Sequence, residues 1–453
     1  MSADFNPAER LTLLCSLAKH TDAESAEFHA LATRADLDWV AVDQLVSHNA
    51  IRPLAYRHFV RGGLWSRVPV GLAQPWEAFS GAIGERNQAR LDTARPLFHE
   101  AAEAGIQLAL LKGIHFAPTY YGDIGYKKMN DIDFLMRVED LDRLFALYEK
   151  HDFFSVGQLL DDDKQVTFSH HTPPFFSRNL ACVLGTHWGL ISPLTKYKPD
   201  YTAIWERVRP FEFVGDRHWA LHPIDNVHHL CIHLPYYKSG LRELADIYNL
   251  LRAEPDFDWL LFETEVAKAG TAELVWHALS LVQAVVPMPA VAACLQRLAP
   301  QVSGFYATDT RRRIQDPRLI LAARSTHMAV IDKAFVEFTM TDYWPHKIAA
   351  FWGMWGNGFF APLADVARFH YLPRQTLYLP LLYPSMIVRI IRYVSKDLGG
   401  KIFALLTLKQ HIDLWKSFFR TVRGRCKPSQ VDVLAAKHNL NAGEITTLKN
   451  LLE

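Results

Sequence analysis

Two aspartates separated by one residue are the first chemically informative feature of the sequence. Asp131 and Asp133 lie in the run "MNDIDFLM", which is otherwise largely apolar. In a β-strand, residues two apart point to the same face, so the two carboxylates would lie side by side and repel each other. A divalent cation relieves that repulsion, and Mg²⁺ is typically held by one or two carboxylates together with substrate phosphates. The pair predicts a Mg²⁺ site, with Mn²⁺ as a substitute metal; a solvated strand end or turn is the alternative, because Asn and Asp are common there.

Basic residues and a glycine lie close to the aspartates in the sequence. Lys112 and Gly113, in "LLKG", follow an apolar run and open a segment with helical spacing. Free backbone amides at such a start, together with a lysine, can receive phosphate. Lys127 and Lys128 come shortly before the aspartate pair. The stretch as a whole therefore predicts a site for a metal and a phosphate group.

The spacing of apolar residues predicts the elements that would position this site. Residues 1–100 have the three- and four-residue spacing of helices and form a helical N-terminal region. "IQLALL" and "DIDFLMR" are predicted strands, "VEDLDRLFALYEKHDF" is a predicted helix, and residues 152–220 have the pattern of short strands and turns. We predict an α+β fold, with a core at residues 101–255 and a mainly helical C-terminal region at residues 256–453.

Composition narrows the class of protein. Of the 453 residues 49% are apolar, and the formal net charge is +1, so nucleic acid is not an expected partner. We expect a cytoplasmic protein, because the sequence shows no secretory signal, no apolar run of membrane-spanning length and five widely spaced cysteines typical of reduced thiols. Residues 389–427 are locally basic with interleaved aromatics. This pattern favours a packed helix with a solvated charged face, and the alternative is an amphipathic helix that contacts an anionic membrane, a carrier or nucleic acid.

The run from Leu110 to Phe154 resembles the uncharacterised nucleotidyltransferase family of the DNA polymerase β superfamily. It contains "LKG", an aromatic, a basic residue, "DIDFLM" and an acidic helix start, and the likeness continues through "GTHWGL" and "HHLCIHLPYYKSGLRELADIYNLL". The resemblance implies a polymerase β-like nucleotidyltransferase core. It also implies transfer of a nucleoside monophosphate from a nucleoside triphosphate, with ATP expected, to a small-molecule, peptide or protein acceptor, as in biosynthesis.

The resemblance also assigns roles to residues of this sequence. It implies that Asp131 and Asp133 bind Mg²⁺ and act as the catalytic pair, and that Lys127 stands at the family's usual arginine. The predicted nucleotide-binding residues are Lys112, Gly113, Lys127, Lys128 and His187. In such chemistry the metal ions polarise the phosphorus and neutralise the pyrophosphate.

One position departs from the superfamily pattern, which normally adds a third carboxylate from a neighbouring strand. This sequence has Gly185 there, two residues before His187. Either one of Asp161, Asp162 and Asp163 replaces the missing ligand, or the acceptor supplies it. Otherwise the fold is degenerate and acts as a nucleotide-binding or protein-interaction module without turnover. His187 could be an acceptor-side base, a metal ligand or a hydrogen-bonded structural histidine.

Two patterns on the next predicted helices leave alternatives open. His229 and His233 have the i, i+4 spacing of a zinc site, but polar residues lining the cleft or satisfied core histidines are favoured. Lys238, Arg242 and Asp246 recur every four residues and either face the cleft or form a ladder on the helix surface.

Overall fold

A mixed β-sheet lies between two groups of helices in the computed structural model of the chain. The structure describes residues 5–155, 169–234, 240–303 and 314–321, with single positions at 166, 307, 310–311, 340, 347–348, 443 and 445–446. Several predicted features lie outside the described residues: Asp161, Asp162, Asp163, Lys238, Cys426 and the basic segment 389–427.

The helices of the described ranges occur mainly before and after the strands in the chain. They are α1 (Pro7–Cys15), α2 (Asp22–Ala32), α3 (Trp39–His48), α4 (Arg52–Arg61), α5 (Val70–Glu103), α6 (Lys112–Phe116), α7 (Leu141–Lys150), α8 (Tyr201–Arg207), α9 (Pro223–His233), α10 (Gly240–Ala253), α11 (Trp259–Ala269), α12 (Ala272–Val285), α13 (Pro289–Leu298) and α14 (Arg318–Leu321). Single turns of other helix types are Trp65–Arg67, Ala117–Tyr121, Ile124–Tyr126, Val138–Asp140 and Ala299–Gln301.

The described strands form one seven-stranded sheet in the order β3-β4-β5-β2-β1-β7-β6. They are β1 (Leu108–Leu110), β2 (Ile132–Met136), β3 (Phe153–Ser155), β4 (Phe175–Ser177), β5 (Val183–His187), β6 (Arg209–Phe213) and β7 (Asp216–Ala220). The central strand β2 pairs parallel with β5 and antiparallel with β1, which in turn pairs parallel with β7. The remaining pairs, β3 with β4, β4 with β5 and β6 with β7, are antiparallel.

Alternation along β2 decides which side of the sheet holds the aspartates. Ile132 and Phe134 pack in the apolar core that α5 forms with one face of the sheet, whereas Leu135 packs in a separate core on the other face. Because strand residues alternate between faces, Asp133 lies on the same side as Leu135. The apolar residues of β2 thus fix the direction of the carboxylate between them.

The fold prediction is confirmed, with one local difference. The protein is α+β, "IQLALL" contains β1, and "DIDFLMR" contains β2. Residues 201–207, placed among short strands from their sequence pattern, are instead the helix α8, whose start is capped by the Asp200 carboxylate accepting from the amide of Ala203 at 3.1 Å. The division at residues 100 and 255 stays a prediction, and one apolar core draws residues from both α1–α4 and α10–α13.

Two further observations concern the class of protein. Cys15, Cys182, Cys231 and Cys294 are buried and free, in line with the reduced thiols expected from their spacing. Within the described ranges, no helix combines the length and the apolar character needed to cross a bilayer.

The contact between α5 and the sheet predicts a large loss of stability for Phe98→Ala. Phe98 is fully buried and packs edge-on against Phe134, at 5.5 Å between ring centroids, and against Phe213, at 4.8 Å. Removing such a ring should lower the free energy of unfolding by about 3–5 kcal/mol. Urea denaturation of this variant and of Val70→Ala, which changes an exposed residue on the same helix, measures the difference; equal midpoints for the two variants would contradict the packing.

Candidate active site

The end of β1 and the start of β2 bring the predicted phosphate turn to the aspartate pair. The amide of Leu111 donates to the carbonyl oxygen of Asp133 at 2.9 Å, so Lys112 follows directly where β1 ends. Lys112 has a φ of 50°, which turns the chain from β1 into α6. This left-handed conformation costs an L-residue roughly 1–2 kcal/mol, and such strain is found preferentially at functional sites.

Lys112 reaches one oxygen of the second aspartate. Its Nζ lies 2.9 Å from Oδ2 of Asp133, and both side chains are largely buried. His187, at the end of β5, places Nε2 at 3.1 Å from the other oxygen, Oδ1. Both carboxylate oxygens of Asp133 therefore have a protein partner.

The Asp133 carboxylate is ionised, and its partner His187 is neutral. Burial lowers the pKa of His187 to about 4, so the imidazole is neutral near pH 7 and donates its Nε2–H to Asp133. Burial also disfavours the Asp133 carboxylate, but Lys112 and the bond from His187 outweigh it and hold the pKa of Asp133 well below its usual range. Asp133 is an ionised, neutralised carboxylate in this arrangement.

Asp131 differs from Asp133 in its partners and in the direction of its pKa shift. Within the part of the chain that the structure describes, its carboxylate forms no hydrogen bond or ion pair. The residue is exposed to solvent, although nearby protein atoms partly desolvate its carboxyl group. This burial and the charge of Asp133 raise the pKa of Asp131 to about 6, although Lys112 and the more distant Arg242 and Arg90 oppose the rise. Asp131 is thus a carboxylate without a direct partner among the described residues.

Neighbouring side chains occupy the space that a side chain at position 113 or 185 would need. A Cβ at position 113 would lie 2.9 Å from Cγ of Met129, so the glycine lets the segment before β2 pack on the lysine turn. A Cβ at position 185 would lie 2.1 Å from Oδ1 of Asp133, its cross-strand neighbour. With Asp133 in this rotamer, no third carboxylate fits at position 185.

Lys127 forms its ion pair with Asp246 and not with Asp131 or Asp133. Its Nζ lies 2.7 and 2.8 Å from the two oxygens of Asp246 on α10, and the Tyr121 hydroxyl donates to the same carboxylate at 2.7 Å. Both charged groups are buried. Asp246 is accordingly no part of a surface ladder, while Arg242 donates from Nη2 to the carbonyl oxygen of Lys128 at 3.1 Å. Nucleotide binding by Lys127 stays a prediction.

The sequence interpretation missed the contribution of α5. Nδ2 of Asn87, which is fully buried, donates to the carbonyl oxygens of Ile124 at 2.6 Å and Lys127 at 2.9 Å, and Oδ1 accepts from Nη1 of Arg90 at 2.9 Å. These bonds fix the segment that leads into β2. The available signal was a polar residue, Asn87, in the apolar stripe that contains Ile83 and Ala94.

The histidines near the site form contacts with one another and with core residues. His229 and His233 lie 5.3 Å apart between ring centroids, and His171 lies 5.2 Å from His187. Burial lowers the pKa of His229 and of His233 well below the usual value. No set of three histidine, cysteine or acidic side chains among the described residues is arranged to hold a metal, so zinc gains no support.

Comparison with known proteins identifies the family. The family described as "uncharacterised nucleotidyltransferase" matches residues 35–287. Because this span exceeds half of the chain, the protein belongs to that family, and the resemblance found in the sequence is confirmed. The match includes α5, the lysine turn, the aspartate pair and His187. No curated protein and no solved structure matches the chain.

The buried pair of Lys127 and Asp246 gives a test of what Lys127 does. Lys127→Met leaves the Asp246 carboxylate buried without its cation, which should lower the free energy of unfolding by about 3–5 kcal/mol. Adding Asp246→Asn removes that charge and keeps an acceptor for Tyr121, so the double variant should recover much of the stability. Urea denaturation measures both. A Lys127→Met protein of normal stability that no longer binds nucleotide would show instead that Lys127 is a nucleotide ligand.

Proposed function

We propose that this protein transfers a nucleoside monophosphate from a nucleoside triphosphate to a small-molecule, peptide or protein acceptor, with Mg²⁺ bound at Asp131 and Asp133. ATP is the nucleotide we expect. The observation that carries the proposal is the pair of carboxylates at the start of β2, beside the lysine turn, in a chain of the nucleotidyltransferase family. The pair supplies what such a reaction needs, which is a fixed anionic site next to a cation able to contact phosphate.

The donor set fits Mg²⁺ in part. Carboxylate oxygens are the ligands this hard cation prefers, and Asp131 has no protein cation paired with it in the described chain. At Asp133 the Lys112 ammonium holds one oxygen and His187 the other. Since Gly185 adds no ligand, substrate phosphate oxygens and water would complete the coordination. When bound, Mg²⁺ would polarise the α-phosphorus and neutralise the leaving pyrophosphate.

In this scheme Lys112 donates to Asp133 without substrate and to a phosphate oxygen when the metal and nucleotide are bound. Without substrate its Nζ balances Asp133, and its place on the turn between β1 and α6 sets it beside the aspartate pair. A metal at the carboxylates would take over that balancing charge, and the ammonium would then be available to a phosphate oxygen. His187 can keep its bond to Asp133 throughout, since it is neutral and buried, and so holds the carboxylate in one orientation.

A non-catalytic function is the second candidate, and two observations favour it. Position 185 carries no acid, and an added side chain there would require Asp133 to move, while both oxygens of Asp133 are already engaged. A site that keeps the Lys112 ion pair would bind nucleotide through phosphate contacts alone, without turnover. The two candidates differ in whether pyrophosphate is released.

The first test removes the charge of Asp131 and follows pyrophosphate. The wild-type protein is incubated with each labelled nucleoside triphosphate, Mg²⁺ and candidate acceptors of the three classes, including the protein itself. Asp131→Asn should reduce pyrophosphate release by at least about a thousandfold, because a metal contributes several kcal/mol of charge stabilisation in the transition state. Asp142→Asn, an exposed position on α7, is the matched control. Full activity of Asp131→Asn would contradict the proposal, and nucleotide binding without pyrophosphate release for any acceptor would establish the second candidate.

The second test asks whether Lys112 competes with the metal. Lys112→Met removes the cation from Asp133, so the affinity for Mn²⁺ alone should rise by about tenfold, a gain of roughly 1.4 kcal/mol, while the affinity for nucleotide falls. Electron paramagnetic resonance counts free Mn²⁺, and calorimetry follows the nucleotide. Lys150→Met, which breaks the exposed ion pair with Glu100, controls for the loss of a charge. Weaker Mn²⁺ binding by Lys112→Met would show that the two do not share Asp133.

A further inference from the structure

A cluster of cations lies beside the aspartate pair, apart from the lysine turn. Its members come from α5, from the segment before β2 and from α10; they are Arg86, Arg90, Lys128 and Arg242. Arg86 and Arg90 are one turn apart on α5, Asn87 beside them donates to the carbonyl oxygen of Lys127 at 2.9 Å, and Arg242 donates to the carbonyl oxygen of Lys128 at 3.1 Å. In line with this arrangement, burial lowers the pKa of the Lys128 ammonium and the charges of the three arginines lower it further. The cationic cluster therefore concentrates like charges that repel one another.

Carboxylates do not balance this charge. Across the described parts of the chain, no member of the cationic cluster forms an ion pair, whereas the other two lysines of the region are paired, Lys112 with Asp133 and Lys127 with Asp246. Asp131 is the acidic group that senses the cluster, through Arg242 and Arg90, and it does not contact them. Several positive charges around one carboxylate leave an excess that an anion would stabilise.

The guanidinium groups are held in place with donors left over. Arg90 uses Nη1 for Asn87, and its Nε is a buried donor without a partner among the described residues. Arg242 uses Nη2 for the carbonyl oxygen of Lys128 at 3.1 Å. A buried donor without an acceptor is costly, so Arg90 retains donor capacity for an acceptor that the described residues do not provide.

The cationic cluster and the lysine turn occupy different sides of β2. Lys112 follows β1, one neighbour of β2 in the sheet. Thr93, which lies three residues after Arg90 on α5, accepts at 3.5 Å from Nδ2 of Asn179, in the turn that leads into β5, the other neighbour. In agreement with this contact, the charges of Arg90 and Asp131 act on the thiol of Cys182, which immediately precedes β5. An anion at the cationic cluster would thus lie next to Asp131, and it would leave the contact between Lys112 and Asp133 undisturbed.

We propose that Arg86, Arg90, Lys128 and Arg242 form a second anion subsite, which binds a phosphate group of a substrate beside Asp131. A phosphate has the charge and the several acceptor oxygens that planar guanidinium groups match, and a single carboxylate would leave most of the excess charge unbalanced. That the phosphate belongs to a substrate rests on the proposed function. It is either the terminal phosphate of the nucleotide or a phosphate on the acceptor.

The test uses inorganic phosphate as the probe and calorimetry at low ionic strength as the measurement. The wild-type protein should bind phosphate saturably, and Arg86→Gln and Lys128→Gln should each weaken binding by about tenfold. Arg86 is exposed and makes no hydrogen bond with a described residue, so its replacement leaves the fold intact. Arg67→Gln, at another exposed arginine, should bind as wild type. No saturable binding, or equal binding by all variants, overturns the subsite.

Nucleotides then separate the two sources of the phosphate. If the subsite takes the terminal phosphate, Arg86→Gln weakens binding of the triphosphate and leaves the monophosphate unchanged, and the triphosphate displaces inorganic phosphate. If it takes an acceptor phosphate, inorganic phosphate binds to the nucleotide-saturated protein and Arg86→Gln leaves nucleotide affinity unchanged. A protein that binds phosphate at the cationic cluster but neither binds nor turns over nucleotide would retain the subsite and refute the proposed function.

Discussion

The structure depends on one electrostatic constraint, which is that two carboxylates at the start of a central strand must each be balanced. At Asp133 the protein provides the balance itself, through Lys112 and a neutral His187. At Asp131 no described side chain forms an ion pair or a hydrogen bond, and burial and the charge of Asp133 raise the pKa of that group, although Lys112, Arg242 and Arg90 oppose the rise. The asymmetry distinguishes two chemically identical residues: Asp133 is held by two side chains, and under our proposal Asp131 is the open position for a cation.

The contacts of Asp133 also explain why position 185 is a glycine and not an acidic residue. The space a side chain would need is filled by Oδ1 of Asp133, and His187 donates to that same oxygen. A carboxylate at position 185 would require Asp133 to turn away and to lose this bond. Position 185 therefore adds no anionic ligand, and His187 donates to Asp133 as a neutral group. Under our proposal, substrate phosphates would have to supply more of the ligands of the metal.

Local spacing predicted a strand with paired carboxylates, and long-range contacts decided the rest. The structure begins β2 at Ile132, directly after Asp131, and it places Ile132 in the core and Asp133 on the opposite face. A shared metal at the two carboxylates stays a prediction. The partner of Lys127, in contrast, lies 119 residues later in the chain. No spacing rule relates two residues so far apart, and only the packing of α10 on the segment before β2 brings them together.

The contacts that α5 makes with the segment before β2 also depend on long-range packing, so the sequence pattern did not predict them. Its amphipathic pattern predicted a helix, but a helix of 34 residues can lie against a sheet in many registers. The observed register places Asn87 and Arg90 at the entrance to β2. Likewise, Gly185 was recognised as a departure from the family pattern, but its steric reason required the pairing register of β2 and β5. Residue identities were readable in the sequence, whereas their partners required the fold.

The central claim is that a divalent cation binds between Asp131 and Asp133 when nucleotide is present. Anomalous diffraction from crystals grown with Mn²⁺ and a non-hydrolysable nucleoside triphosphate tests it most directly. Our account predicts a peak about 2.1 Å from an oxygen of each carboxylate, with Nζ of Lys112 moved from Asp133 to a phosphate oxygen. Bound nucleotide with no peak at the two aspartates, and with the ion pair between Lys112 and Asp133 intact, would contradict it.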